Sequence, residues 1–228
     1  MRLSYDILRP VPVAPVRIEA RTLRPGRRVE QLEATLSAAE DADRTPLMRV
    51  TAWRMRAESV RLPDGVVVSG ADAPPGDPAP DSPPLRLAPP DKGRPGEFAW
   101  WKAEVAYHRA LDWRFLAGSF ATPGPATVWT RLEVPLITGE PASPLQRLLV
   151  MADAASGVSA MLDWDAWSFV NVDLGIHLER PPEGEWMAMA AETRLGPAGA
   201  ALCTSVLYDS AGRVGASTHS LLVARRGT

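Results

Sequence analysis

The stretch Ser143-Pro144-Leu145-Gln146-Arg147-Leu148-Leu149-Val150-Met151-Ala152-Asp153-Ala154-Ala155-Ser156-Gly157-Val158-Ser159-Ala160-Met161-Leu162 decides the fold. Ser143 reads as a helix N-cap, Pro144 suits the first helical position, and Gln146 completes a capping box. Leu145, Leu148, Leu149, Ala152, Ala155, Val158 and Met161 then recur at helical spacing. That single apolar stripe predicts a long helix with one face buried. Asp153 stands in the middle of it, where an ordinary core helix tolerates a carboxylate poorly.

On both sides of this helix the pattern changes to strand. Asp112 to Phe120 alternates, and Thr127 to Pro135 reads as another strand or an extended connector. Downstream, Phe169 to Leu178 reads as one strand. Val170, Val172, Leu174, Ile176 and Leu178 fall on one face, and Asn171, Asp173 and His177 on the other. Trp186 to Ala190, Ala201 to Tyr208 and Ser217 to Ala224 follow, separated by turns. A strand, a connector, a long apolar helix and four antiparallel strands make an α+β unit whose sheet wraps its inner face around the helix.

The same order occurs earlier in the chain. Ser4-Tyr5-Asp6-Ile7-Leu8-Arg9-Pro10, then Val16 to Arg21, the turn Arg24-Pro25-Gly26, Val29 to Ser37 and Met48 to Met55 parallel Gly175-Ile176-His177-Leu178-Glu179-Arg180-Pro181 and its successors, at an offset near 171. One unit used twice accounts for that spacing. Between the copies, Asp72 to Glu97 holds nine prolines and three glycines. This predicts a semi-extended linker without regular helix or ladder structure. The expected organisation is a partial first unit over 1–60, a Pro-rich linker over 61–104 and a complete second unit over 105–228.

Composition narrows the function. The 228 residues are 46% hydrophobic and 23% charged, with mean hydropathy -0.10, as in globular chains and unlike disordered or collagenous ones. Asp6, Glu19, Glu30 and four prolines in the first thirty residues leave no signal-peptide core, so a cytoplasmic location and no membrane partner are expected. The net charge of -2 gives no general pull toward nucleic acid. Cys203 is the single cysteine, and His108, His177 and His219 have no metal-ligand spacing. Neither a metal nor another cofactor is therefore expected. There is no G-x-S-x-G elbow, P-loop or G-x-G-x-x-G.

The segment 143–162, the strand FVNVDLGIHLERP over 169–181 and the ending LYDSAGRVGASTHSLLVARR over 207–226 resemble the second half of the TesB-like acyl-CoA thioesterases. The opening ILRPVPVAPVRIEARTLRPGRRVE over 7–30 resembles strands of their first half. The resemblance implies a double hotdog: antiparallel sheets wrapped around a long central helix, with the first hotdog lacking its N-terminal strand and helix. It also implies an acyl-CoA or acyl-carrier thioester as substrate. Without that helix, the sheet face of Ile7, Val16 and Ile18 lacks a cover, at roughly 1.5 to 3 kcal/mol for each large side chain left wet. A chain starting at Met1 is therefore expected to dimerise or aggregate, making a homo-oligomer the expected state.

Thioester hydrolysis needs an activated water, a donor for the oxyanion and a slot for the acyl chain. The resemblance places Asp153 in the catalytic set, where partial burial would suit it to act as general base. It places Asn171 where well-known members carry threonine, and its carboxamide can donate. At the third position, a glutamine in the family, the chain offers His219 or Ser220, with His219 preferred. Asp173 and His177 are more readily surface ion-pair residues. Arg24 to Arg28 could meet a CoA phosphate or form a solvated turn, and Trp164 and Trp167 could line the slot or simply pack. The competing reading is a hotdog protein that binds acyl-CoA and has lost catalysis. A hydratase is disfavoured because no histidine follows Asp153 within the helix.

Overall fold

The computed structural model describes residues 1–58, 61, 63, 84, 86–97 and 107–227. Four strands, β1 (Arg2–Ile7), β2 (Val16–Arg24), β3 (Val29–Ala38) and β4 (Met48–Met55), form a first block in the order β2-β3-β4-β1. The rest comprises β5 (Arg94–Pro95), β6 (Leu111–Ser119), β7 (Thr122–Leu132), α1 (Pro144–Ala152), α2 (Ala155–Val158), β8 (Trp167–Asn171), β9 (Asp173–Leu178), β10 (Trp186–Leu195), β11 (Ala200–Asp209) and β12 (Gly212–Arg225). The sheet continues past β1 as β9-β12-β11-β10-β7-β6-β5, with β8 also on β12. This large antiparallel sheet with few helices has the layout of a hotdog fold. No helix among the described residues is long and apolar enough to cross a membrane.

Strands β9 to β12 repeat the internal order of β1 to β4, and the offset of 171 carries Arg2–Ile7 onto Asp173–Leu178. The two equivalent strands pair antiparallel at the junction, with Arg2 opposite His177 and Asp6 opposite Asp173. The blocks differ in what covers them. On the second block, Leu148, Met151, Ala152, Ala155 and Val158 of the helices pack into Leu174, Ile176, Met189, Cys203, Leu207 and Leu221. On the first, no helix among the described residues lies over the apolar face carrying Ile18 opposite Leu36 and Ala20 opposite Ala34. Ile18 is 67% exposed as a result. Its other face is polar, tied by Arg21–Glu33 and Arg44–Glu19 ion pairs.

Three expectations are corrected. The helix is not one long rod: α1 stops at Ala152 and a single turn, α2, resumes at Ala155. The apolar stripe continues across the break, but Ser156, Gly157 and Ser159 just beyond it are weak helix formers that do little to carry one rod onward. Phe169 to Leu178 is not one strand either. Asn171 lies opposite Leu221 and Ile176 opposite Ser217, so five steps on β8–β9 face four on β12. The extra residue is a β-bulge at Val172, which swaps faces. Val170 and Val172 are 51% and 46% exposed, whereas Leu174 and Ile176 are 5% and 0%. Finally, the end of the stretch read as linker is laddered: Arg94 and Pro95 pair with Phe115 and Arg114 of β6. The Trp129 indole N–H donates to the Ala88 carbonyl at 2.7 Å and holds that approach. Most of the remainder, and Trp100-Trp101, lie outside the described residues.

The β11–β12 hairpin is fastened by a buried ion pair. Asp209, 1% exposed, accepts from both terminal nitrogens of Arg180 and from the backbone N–H of Glu183 and Ala211. Its oxygens thus meet four donors, the arrangement that makes burying a carboxylate tolerable.

Candidate active site

The bulge at Val172 positions the first candidate group, Asn171. Unbulged, Asn171 would share the outer face with Asp173; instead it lies on the helix side, opposite buried Leu221. There its Oδ1 accepts from the Ser156 hydroxyl at 3.0 Å. Asn171, Ser156 and Asp153 line one cavity of about 470 Å³ with Ile7, Tyr107, Trp113, Phe120, Trp164 and Phe169. Trp113 and Phe120 pack edge-on at 5.0 Å, as do Trp164 and Phe169 at 5.4 Å. The result is an apolar, ring-lined slot with a carboxylate and a carboxamide converging on it, the composition of a small-molecule site.

Asp153 corrects the expected burial: it is exposed. It sits at the end of α1, as the C-cap, so the helix break turns it out of the apolar stripe. Its charge still reaches inward, contributing to the raised phenols of Tyr5 and Tyr107, after desolvation in both cases.

The break also leaves C-terminal carbonyls of α1 without intrahelical donors, and buried polar groups of this kind need partners. Tyr107 donates its hydroxyl to the Val150 carbonyl. His219 Nε2 lies 3.1 Å from the Ala152 carbonyl. A carbonyl only accepts, so Nε2 carries the proton and Nδ1 is the bare nitrogen. His219 is 0% exposed and does not line the cavity; it props the helix end from below. Ser220 faces the other way, donating its N–H and hydroxyl to Asp173 at 2.6 and 3.1 Å on the outer face. The structure therefore brings Asp153 and Asn171 together, puts His219 beneath them and sets Ser220 apart. Trp164 lines the slot, whereas Trp167 lies under the Arg225 guanidinium at 5.3 Å. Arg24 donates to the Val29 carbonyl across its own turn.

Ser156, Tyr107, Trp113 and Phe120 were not singled out from sequence. Ser156, three residues after Asp153, carried a readable signal as a polar residue in the stripe. The aromatic residues upstream had none.

Burial holds the His219 imidazole below its ordinary range, only partly opposed by Asp153, the Ala152 hydrogen bond and Asp173. The folded protein thus resists a proton that the unfolded chain accepts near pH 6.5. Stability is fully present above that pH and is lost as pH falls toward the lowered folded value. His108, lowered by burial and by Arg109, acts in the same direction. Thermal melts from pH 7.5 to 5 are expected to fall less steeply for His219→Gln, which keeps a donor for Ala152; equal slopes would contradict this.

Residues 79–223 match the model of the acyl-CoA thioesterase C-terminal domain, and residues 1–55 that of the N-terminal domain. No curated protein sequence matches significantly. Among solved structures, a candidate thioesterase II from Thermobifida fusca is 23% identical with a TM-score of 0.68, over 98% of this chain and 78% of that one. A hotdog-fold protein of unknown function from Alicyclobacillus acidocaldarius is 18% identical with a TM-score of 0.66, over 100% and 78%. The acyl-CoA thioesterase II TesB2 from Mycobacterium marinum is 15% identical with a TM-score of 0.62, over 99% and 81%. At these identities the structures speak to the fold, while the two domain models speak to ancestry. The chain belongs to the TesB-like acyl-CoA thioesterase family.

Proposed function

We propose that this protein hydrolyses an acyl-CoA or related carrier thioester to the free acid and thiol, with Asp153 activating the attacking water. The observation that carries the reading is the convergence of Asp153 and Asn171 on one ring-lined slot. The acyl chain would occupy the slot, where Trp113, Phe120, Trp164 and Phe169 replace its water. Asp153 would take a proton from water as oxygen attacks the thioester carbon. The Asn171 amide would donate to the carbonyl oxygen as it gains charge, a role worth about 10²- to 10³-fold in rate at sites of this kind. Collapse breaks the carbon–sulfur bond, and the departing thiolate recovers the proton from Asp153. A thioester seated in the slot would itself exclude water from the exposed carboxylate, which strengthens its charge interactions.

The repeated strand order supports a double hotdog, with the first-block face of Ile18 and Ala20 as the position a first helix would cover. The sequence boundaries 1–60, 61–104 and 105–228 are retained in this reading, with the linker's last residues docked on the second hotdog. A second copy of the chain covering the bare face is the proposed oligomer, and the cytoplasm the proposed compartment. Light scattering is expected to show a dimer or larger species; a stable dilute monomer would contradict it.

The second reading, an acyl-CoA-binding protein without catalysis, is favoured by the exposure of Asp153 and the withdrawal of His219 from the slot. Incubation with acyl-CoAs of several lengths separates the two. Hydrolysis predicts free thiol in many-fold excess over protein. Saturable acyl-CoA binding with no thiol release would support the binding reading and overturn the enzyme.

A further inference from the structure

A serine in a helix or at its C-cap can donate its hydroxyl back to the carbonyl four residues earlier. Ser159 does so, donating to Ala155 at 2.8 Å. Ser156 does not. Its hydroxyl passes over the Ala152 carbonyl, four residues earlier, and goes instead to Asn171 Oδ1 at 3.0 Å. The two ends of a carboxamide are chemically opposite: oxygen accepts, nitrogen donates. Fixing the oxygen on Ser156 leaves the nitrogen as the end that can meet a ligand. Among the described residues Asn171 uses its Oδ1 end, on Ser156, and its Nδ2 donates to no protein acceptor. Both residues line the cavity with Asp153, and Ser156 is buried, at 8% exposure, so water competes weakly for its hydroxyl.

We propose that Ser156 is a positioning residue that locks the Asn171 carboxamide with its N–H donors toward the thioester carbonyl. The proposal rests on the hydrolytic reading above. Without Ser156 the amide can rotate and present its oxygen to a developing oxyanion, which repels it. The loss falls on the transition state, where charge is greatest, more than on substrate binding.

Steady-state hydrolysis of an acyl-CoA by wild type, Ser156→Ala, Ser156→Cys, Ser156→Thr, Asn171→Ala and the Ser156→Ala/Asn171→Ala double variant tests this, with thermal melts confirming that each is folded. Ser156→Ala is expected to lower kcat about tenfold, the equivalent of one ordinary hydrogen bond, with KM within about twofold. Ser156→Cys, near in size but a poor donor, should behave alike, and Ser156→Thr should recover most of the loss. The double variant should be no slower than Asn171→Ala alone, because a side chain that acts only through Asn171 has nothing left to position. If Asn171→Ala is impaired while Ser156→Ala and Ser156→Cys keep the wild-type kcat, or if the two losses multiply, the positioning role is wrong and the site reading stands. If Asn171→Ala itself turns over normally, the donor assignment fails, and the role of Ser156 falls with it.

Discussion

Asp153→Ala is expected to lower kcat for acyl-CoA hydrolysis by about 10²- to 10⁴-fold, the range supplied by a positioned general base. Stability should stay within about 0.5 kcal/mol, because the side chain is exposed at the end of α1 and fills no space in the core. The combination is diagnostic. A residue on the polar edge of an amphipathic helix loses neither activity nor stability when truncated, and a core residue loses both. Asp153→Asn should match Asp153→Ala, since the amide keeps the shape but cannot accept a proton from water. Thiol release assayed alongside denaturation reads both quantities, and unchanged turnover of several acyl-CoAs would remove Asp153 from the mechanism.

The largest effect on folding is expected far from the slot. Asp209→Ala leaves the half-buried Arg180 guanidinium among carbonyls without the carboxylate that pairs with it and strips the Glu183 and Ala211 N–H groups of their acceptor. Breaking one side of such a pair costs about 3 to 5 kcal/mol. For a chain of this size that corresponds to a fall of roughly 6 to 20 °C in Tm. Replacing Arg180 by methionine in the Asp209→Ala background should restore part of the loss, because no unpaired charge then remains. Urea denaturation tests both, and a loss below 1 kcal/mol in Asp209→Ala would show that the hairpin is held by packing alone.

The repeat and the helix start were legible because they rest on local signals. Ser143 does accept from the Gln146 N–H, with the reciprocal Gln146 contact in place. The strands read around Val29, Met48, Ala201 and Ser217 lie within β3, β4, β11 and β12. The helix end was not legible. An apolar stripe records which side faces the core, and it continues unbroken from Met151 and Ala152 to Ala155 and Val158 although the helix is interrupted between them. The bulge was hidden for a similar reason: Val170, Val172 and Leu174 alternate as an uninterrupted strand would. Only the pairing partners, Leu221 against Asn171 and Thr218 against Gly175, reveal the extra residue. That slip brings Asn171 into the cavity and leaves Asp173 outside it. The contact of His219 with the Ala152 carbonyl was not legible either, because no local pattern announces that a distant carbonyl needs a donor.

The most direct test is a crystal structure of Asp153→Asn with an acyl-CoA analogue whose thioester sulfur is replaced by methylene, so that the carbonyl is kept and cannot be cleaved. The acyl chain is expected among Trp113, Phe120, Trp164 and Phe169 and the carbonyl oxygen within hydrogen-bond distance of Asn171 Nδ2, with residue 153 beside the carbonyl carbon. An analogue bound on the outer face near Ser220 and Asp173, or one whose carbonyl lies away from both Asn171 and residue 153, would contradict it.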